Sequence, residues 1–411
     1  MEGEAPVVAQ HLDELVVEIL ARLPAKSLCR FKCVSRSWRR LICDPTHRAK
    51  LAQTLSGFFV FPRGRRSDAG PTPFHFVSLS PRRGNGGPPL VDTTLSFLHP
   101  TCGQIELLDS CNGLLLMLCW GAPPLPVHPF YVVCNPATRE WLALPQPSEA
   151  PRQDGDTMGE NKWTRSAALG FDPAISLNFY VFQLLETEYQ TDYKVTAVEI
   201  YSSETRRWIL SECGWDAGEC HFFDGNMTYK FSNGSNMTYL NSVLHFTLLG
   251  GAVAAVDTKG EAWRVNRLQF GECDGNGFSG RSQGRLLYMF DDEKGDFLSV
   301  YVLEDRGSEE WTFKHNISKA DLFGPRKWQW GPYYHVVAFH PEADLIFFFD
   351  WQRNRLISYG MTNMDVHVIG TIGGEECSIC TTLRMECTDH LFLPYIPLYS
   401  RSRILVSLTV N

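Results

Sequence analysis

The sequence predicts a mainly β protein with a small N-terminal α module: three or four short helices followed by a β-propeller of about six blades, with seven as the alternative. Three observations predict it. Residues 13–42, "DELVVEILARLPAKSLCRFKCVSRSWRRLI", place large apolar side chains at helical spacing. From Cys111 onward the chain repeats a unit of β run, polar turn and Trp. The two parts also differ in charge. Residues 11–53 hold nine Lys/Arg against four Asp/Glu, a net of +5, whereas the remainder holds 29 against 42, a net of -13. A basic module on an acidic body implies different partners for the two.

Length and composition bound the rest. The chain has 411 residues, 44% of them hydrophobic, and a net charge of -8, enough for a sizeable core and more than one domain. The first ten residues, "MEGEAPVVAQ", lack the basic-then-apolar order of a signal peptide and are expected to be disordered. No uninterrupted apolar run reaches the roughly 18 residues of a membrane span. The longest candidate, "SVLHFTLLGGAVAAVD", reads as two strands around Gly250-Gly251. Thirteen scattered Cys point to reduced thiols, hence to the cytoplasm, the nucleus or both. The sequons at Asn226, Asn236 and Asn316 then read as chance matches to a short pattern.

The helical module spans residues 11–53. Leu12, Leu15, Val16, Ile19, Leu20 and Leu23 form one helical stripe, and Asp13 and Glu14 favour a first turn there. Pro24 stops that helix near Leu23. A second short helix turns Leu28, Phe31 and Val34 inward; a third, capped by Ser35, carries Trp38, Leu41 and Ile42. Asp44-Pro45 breaks it and can start a fourth through Leu51. About 40 residues cannot bury so many large apolar groups among themselves, and modules of that size need a disulfide, a metal or a partner. Cys29, Cys33 and Cys43 show no metal-ligand spacing, which leaves a partner. Arg30, Lys32, Arg36, Arg39 and Arg40 raise a nucleic-acid reading, but the large apolar residues between them suit a protein groove better than phosphates, so no nucleic acid is expected.

"DELVVEILARLPAKSLCRFKCVSRSWRRLICDP" resembles an F-box in the form common among plant F-box proteins, in register over some 30 positions. The resemblance implies docking onto a Skp-type adaptor and, through it, onto the cullin and RING subunits of a ubiquitin ligase. It assigns Leu12, Leu15, Val16, Ile19, Leu23, Pro24, Leu28, Phe31, Val34 and Trp38 to that interface or its support. One feature departs from the family: His11-Leu12 stand where a Leu-Pro pair is usual before the acidic residues.

Residues 54–411 form the second domain. "FPRGRRSDAGPTPF" and "SPRRGNGGPPL" are Pro/Gly/Arg-rich loops between short apolar runs. Then "YVVCNPATREWLAL", "VEIYSSETRRWIL", "VAAVDTKGEAWRV" and "VYVLEDRGSEEWTF" repeat one order, and "RLISYGMTNMDVHVI" keeps it with Val366 in place of Trp. Trp141, Trp208, Trp263 and Trp311 fall 67, 55 and 48 residues apart, each after a further β run. Five such repeats predict propeller blades, with the Trp packed between blades and a sixth blade shared by the two ends of the chain to close the ring. "CNGLLLM", "VVCNPATREWLALP", "ALGFDP" and "YKVTAVEIYSSETRRW" resemble the F-box-associated, kelch-like domain of plant F-box proteins, closely from Cys111 to Leu210.

Catalytic patterns lack their context. Gly280, Ser282 and Gly284 fit a nucleophile elbow, and Gly275, Gly277 and Gly280 fit a dinucleotide motif, but no helix follows either. Cys377 and Cys380 form a lone C-x-x-C, and His221, His245, His335 and His340 have no ligand spacing. No cofactor, no metal and no membrane are expected. The expected function is substrate adaptor of a Skp–cullin–F-box ubiquitin ligase, acting by proximity rather than by chemistry of its own. A non-degradative F-box protein and a propeller-based small-ligand sensor or enzyme are the alternatives. The candidate target-binding loop is 324–335, with Arg326, Trp328, Trp330, Tyr333 and Tyr334, the residue types enriched at binding hot spots. Gap-filling between blades is its competing reading.

Overall fold

The structure is a computed structural model. It describes residues 4–23, 27, 31, 36–43, 47, 55–62, 75–79, 91–121, 129–148, 167–173, 175–189, 192–213, 237–248, 252–267, 277–292, 296–303, 310–324, 334–371, 390–398, 402, 404 and 405.

The helical module contains α1 (Glu4–Ala21) and α2 (Arg36–Cys43). Helix α1 starts well before Asp13, so the expectation of disorder over residues 1–10 fails from Glu4 onward. The departure at Leu12 gives the reason. Proline at that position would push residue 11 out of the α region; leucine lets the helix continue. Pro6 lies in the first turn, where its missing N–H costs nothing. The helix closes with Arg22 and Leu23 donating to the carbonyls of Ile19 and Leu20, just ahead of Pro24. Val17 and Leu20 of α1 and Leu41 of α2 are buried together, with Val16, Ala21, Leu23, Phe31 and Trp38 packed around them. Arg40 on α2 donates to Asp13 on α1 at 3.1 Å.

The rest is a ring of six antiparallel sheets. After β1 (Gly57–Pro62) and β2 (His75–Ser78), the first full blade is β3 (Cys102–Cys111), β4 (Leu114–Gly121), β5 (Phe130–Asn135) and β6 (Glu140–Ala143). The second is β7 (Ala167–Phe171), β8 (Phe179–Tyr189), β9 (Asp192–Ser202) and β10 (Arg207–Glu212). The third is β11 (Met237–Leu240), β12 (Val243–Leu248), β13 (Ala252–Asp257) and β14 (Trp263–Arg267). The fourth is β15 (Phe278–Ser282), β16 (Arg285–Asp291), β17 (Phe297–Leu303) and β18 (Trp311–Ser318), followed by the short helix α3 (Lys319–Phe323). The fifth is β19 (Tyr334–Phe339), β20 (Leu345–Asp350), β21 (Arg355–Gly360) and β22 (Asp365–Thr371), and β23 (His390–Tyr395) ends the series.

The first strand of each blade lies innermost: β3 meets β7, β7 meets β11, and so on to β19 and β23. Strand β23 meets β3 and completes the circle. The closing blade takes its inner strand from the C-terminal part of the chain and its middle and outer strands, β1 and β2, from the N-terminal part. Phe59 pairs with Leu393 on one side and Phe76 on the other. The ring thus has six blades and is closed by both ends, as the repeats predict, with strands from the two ends of the chain hydrogen-bonded in one sheet.

Turn chemistry shapes the blades. Asn112-Gly113, Asn241-Ser242 and Gln283-Gly284 have positive φ at both positions and join the first and second strands of their blades as tight hairpins. Gly113 is required in a second way: a Cβ there would stand 2.5 Å from that of Leu398. Between the third and fourth strands, Arg139, Arg206 and Met364 each adopt positive φ and donate to a carbonyl four residues back at 2.8 Å.

The Trp residues take the inter-blade places predicted for them. Trp208 donates to the Pro145 carbonyl at 2.8 Å and lies against Tyr131 of the preceding blade. Trp263 reaches Ser211 of the preceding blade at 3.3 Å. Trp311 packs with Val253 of the third blade and with Tyr288, while Trp141 packs against the cluster that joins the closing blade to the first. In β9 the two faces of the strand are not divided between core and solvent: Ala197, Val198, Glu199, Ile200 and Tyr201 are all buried. Blades cover both faces of the sheet, and Glu199 is matched by the Ser148 hydroxyl and amide at 2.7 and 2.6 Å.

Candidate functional site

The helical stripe divides into two faces. Val16 and Leu23 turn towards Val17, Leu20 and Leu41, and Phe31 meets Trp38 edge-on with centroids 5.2 Å apart. Leu15 and Ile19, one turn apart, point away and are 63% and 58% exposed. The stripe expected as one continuous face therefore has an outer edge that the described residues of the module leave exposed. Val17 was not part of the sequence stripe; its pairing with Leu20 and Ala21 at i+3 and i+4 is the signal that marks the inner face. Leu12 lies within α1, but its side chain, like Pro24, Leu28 and Val34, falls outside the described residues.

In the candidate target loop, Arg326, Trp328, Trp330 and Tyr333 fall outside the described residues. Tyr334 is the exception and it is core. It begins β19, stacks on Phe323 at 5.0 Å, and donates its hydroxyl to Asp291 at 2.7 Å. Buried Lys319 forms an ion pair with the same Asp291 and lies over the Tyr334 ring. Tyr334 is thus corrected from a presented side chain to an anchor, since its ring and hydroxyl are both committed at the junction of the fourth and fifth blades.

The six inner strands enclose a central cavity of ≈ 100 Å³. Its polar side is Asp109, Asn112, Thr238, Ser279 and Arg281; its apolar side is Val337, Ala338, Phe339, Phe392 and Ile396. Asp109 is buried and accepts the amides of Leu169 and Ser110, each at 2.7 Å. Burial pushes its carboxyl up to about 7, against those two hydrogen bonds and the Arg281 charge, which lower it. Burial likewise raises the neighbouring Cys111 thiol to about 11, and that thiol donates to the Phe171 carbonyl at 3.3 Å. Arg281 of the fourth blade donates to Asn112 of the first, the blade opposite it in the ring, so its side chain crosses the mouth. Sequence reasoning missed this cluster because it counted the second to fourth strands of each repeat. The two-residue turns in "DSCNGLLL" and "GRSQGRLL" are the signal for the inner strands.

The apparent nucleophile motif is architecture. Ser282 ends β15 and donates to the carbonyls of His340 and Ala343 at 2.8 and 3.2 Å, and Gln283-Gly284 is a hairpin turn. Gly280 is needed because a Cβ would stand 2.5 Å from the Phe339 ring. Cys377, Cys380 and His221 fall outside the described residues. Among the described residues no group of three or more His, Cys, Asp and Glu could hold a metal ion. Nor, among them, is any helix long and apolar enough to cross a membrane.

Comparison with known proteins matches both parts. The model of the F-box domain family matches residues 13–50, and the model described as F-box protein At3g26010-like, beta-propeller matches residues 93–407. F-box protein At5g49610 of Arabidopsis thaliana is 27% identical over 310 residues, which is 73% of this chain and 74% of that protein. F-box protein At5g07610 of the same plant is 30% identical over 348 residues, 78% of this chain and 73% of that protein. Among solved structures, a chain of a nidogen/laminin complex shares 12% identity, covering 84% of this chain and 99% of its own, with a TM-score of 0.38.

Proposed function

We propose a function from one premise: the chain belongs to the F-box proteins that carry an At3g26010-like β-propeller. On that premise it is the substrate-recognition subunit of a Skp–cullin–F-box ubiquitin ligase. The helical module docks a Skp-type adaptor, which brings the cullin and RING subunits. The propeller captures a target protein and holds its lysines near the ubiquitin-conjugating enzyme. This chain supplies no bond-making group; its contribution is effective concentration. Such work places it in the cytoplasm, the nucleus or both.

The observation that carries the reading is the outer edge of α1. Leu15 and Ile19 are large, apolar and exposed beside a core of only three fully buried apolar side chains among the described residues. Adjacent apolar anchors of this kind are what a partner groove desolvates. The test is direct binding of the purified full chain to a purified Skp-type adaptor. Saturable binding supports the reading, and its absence at micromolar concentrations overturns it. Affinity capture with the proteasome inhibited, followed by mass spectrometry, then identifies the target.

A further inference from the structure

Among the described residues, the central cavity holds a cation that no carboxylate meets in an ion pair. Arg281 is half-buried at the cavity mouth, and among the described residues its one hydrogen bond is to the neutral amide oxygen of Asn112. No carboxylate forms an ion pair with it among those residues, although Asp350, Asp344 and Asp291 each take a Lys or Arg elsewhere in the propeller. Asp109 lies close enough to feel its charge, but it is turned to the amides of Leu169 and Ser110. A guanidinium has five N–H donors in a planar fork that fits a carboxylate bidentately, and most of that capacity is unused here. Below the fork, Val337, Ala338, Phe339, Phe392 and Ile396 offer an apolar wall.

We propose that this cavity is a binding site for a small organic carboxylate, its head on Arg281 and its short apolar body against the fifth-blade and closing-blade strands. Size sets the body. The cavity of ≈ 100 Å³ is smaller than the roughly 150 Å³ that admits benzene, so the occupant has a short chain and enters from the mouth. Charge sets the head. Among the described lining residues Arg281 is the one cation, and burial raises the Asp109 carboxyl to about 7, so below that pH Asp109 is mostly neutral while Arg281 keeps its charge. A primary ammonium of the same length would face that guanidinium and be repelled. The residues lining the site are none of those assigned to the adaptor face of α1 or to the candidate target loop. The inference stands whether or not the chain works in a ligase.

The test uses the full chain at constant ionic strength, with butyrate, butylamine and inorganic phosphate as probes. Saturation-transfer NMR and thermal shift should report butyrate binding, with methyl protons receiving the transfer, and no response to butylamine. Arg281→Gln should weaken butyrate at least about tenfold, the value of losing a charge-assisted pair, while Skp-type adaptor binding is unchanged. Equal responses to butyrate and butylamine would overturn the proposal, and so would undiminished binding to a folded Arg281→Gln variant. Phosphate binding as tightly as butyrate would overturn the apolar half of it. If Arg281→Gln fails to fold, the butyrate–butylamine contrast on the unaltered chain decides.

Discussion

In the helical module, Val17, Leu20 and Leu41 are the fully buried apolar residues among those described, and two large aliphatic side chains one turn away face solvent. Between the fourth and fifth blades, by contrast, Phe323, Tyr334, Phe339, Phe348, Tyr359, Ile317, Ile346 and Ile357 are buried in one cluster, and neighbouring clusters continue it around the ring. The two regions solve the same problem differently. A propeller covers both faces of every sheet with its own neighbours, so its hydrophobic surface is spent inside the chain. Among the described residues the helical module has no second layer, and on the proposed reading it leaves part of its apolar surface to another protein. Stability is therefore the main constraint on most propeller positions, and on the proposed reading binding is the constraint on the outer edge of α1.

The largest effect should come from opening the ring. Ending the chain at residue 389 removes β23, which pairs with β1 and touches β3 and β19. The propeller should lose its cooperative thermal transition while the helical module keeps its adaptor binding. A sharp transition in the truncated chain would show that the closing blade is dispensable. Next comes a single core deletion. Phe348→Ala empties a fully buried site beside Phe323 and Tyr334, at a cost of about 3–5 kcal/mol and a fall of several degrees in Tm. Adaptor affinity should not move, and a parallel loss of both would mean that the two regions are one unit.

A smaller effect should appear in the pH dependence. The Asp109 carboxyl is raised in the folded state, to about 7, so between its unfolded value near 4 and about 7 the folded chain binds more protons than the unfolded one. This group therefore favours the folded state at low pH and loses that contribution as pH rises to 7. Asp109→Asn removes the loss, so the variant should gain on the unaltered chain between pH 5 and 7, with the gap flat above. Thermal melts across that range check it. His245, lowered to about 4 by burial, acts in the opposite direction, since its protonation favours the unfolded chain as pH falls, and it acts in both proteins alike. The smallest effect is at the family departure. Leu12→Pro should end the helical continuation upstream of Asp13, a loss of about two turns seen by circular dichroism, and tighten the adaptor complex slightly. Unchanged helicity would contradict the explanation given for the early start of α1.

These contrasts also explain what could be read in advance. The outer hairpins were legible because "NPATRE" and "SSETRR" carry turn chemistry between β runs and end in a Trp that needs a neighbouring blade. The inner strands were not, since "AALGF" and "FSGRS" are short, small-residue segments whose burial comes from the ring and not from their own pattern. Pairing of Phe59 with Leu393 depends on residues more than 300 apart, which no local period records, although the need to close the ring did call for it. In the helical module the stripe was visible, but which of Leu15, Ile19 and Val17 turned inward depends on where α2 packs. Arg281 crossing to Asn112 joins opposite blades and has no sequence signature at all.

The central claim is that the outer edge of α1 exists for a partner and contributes nothing to the chain's own fold. Measuring adaptor affinity and Tm together for Leu15→Ala combined with Ile19→Ala tests it most directly. The account predicts a loss of about 4 kcal/mol, roughly a thousandfold in Kd, as truncated interface anchors give, with Tm unchanged because both side chains are exposed in the free chain. Wild-type affinity in the double variant, or a lowered Tm with affinity intact, would contradict it.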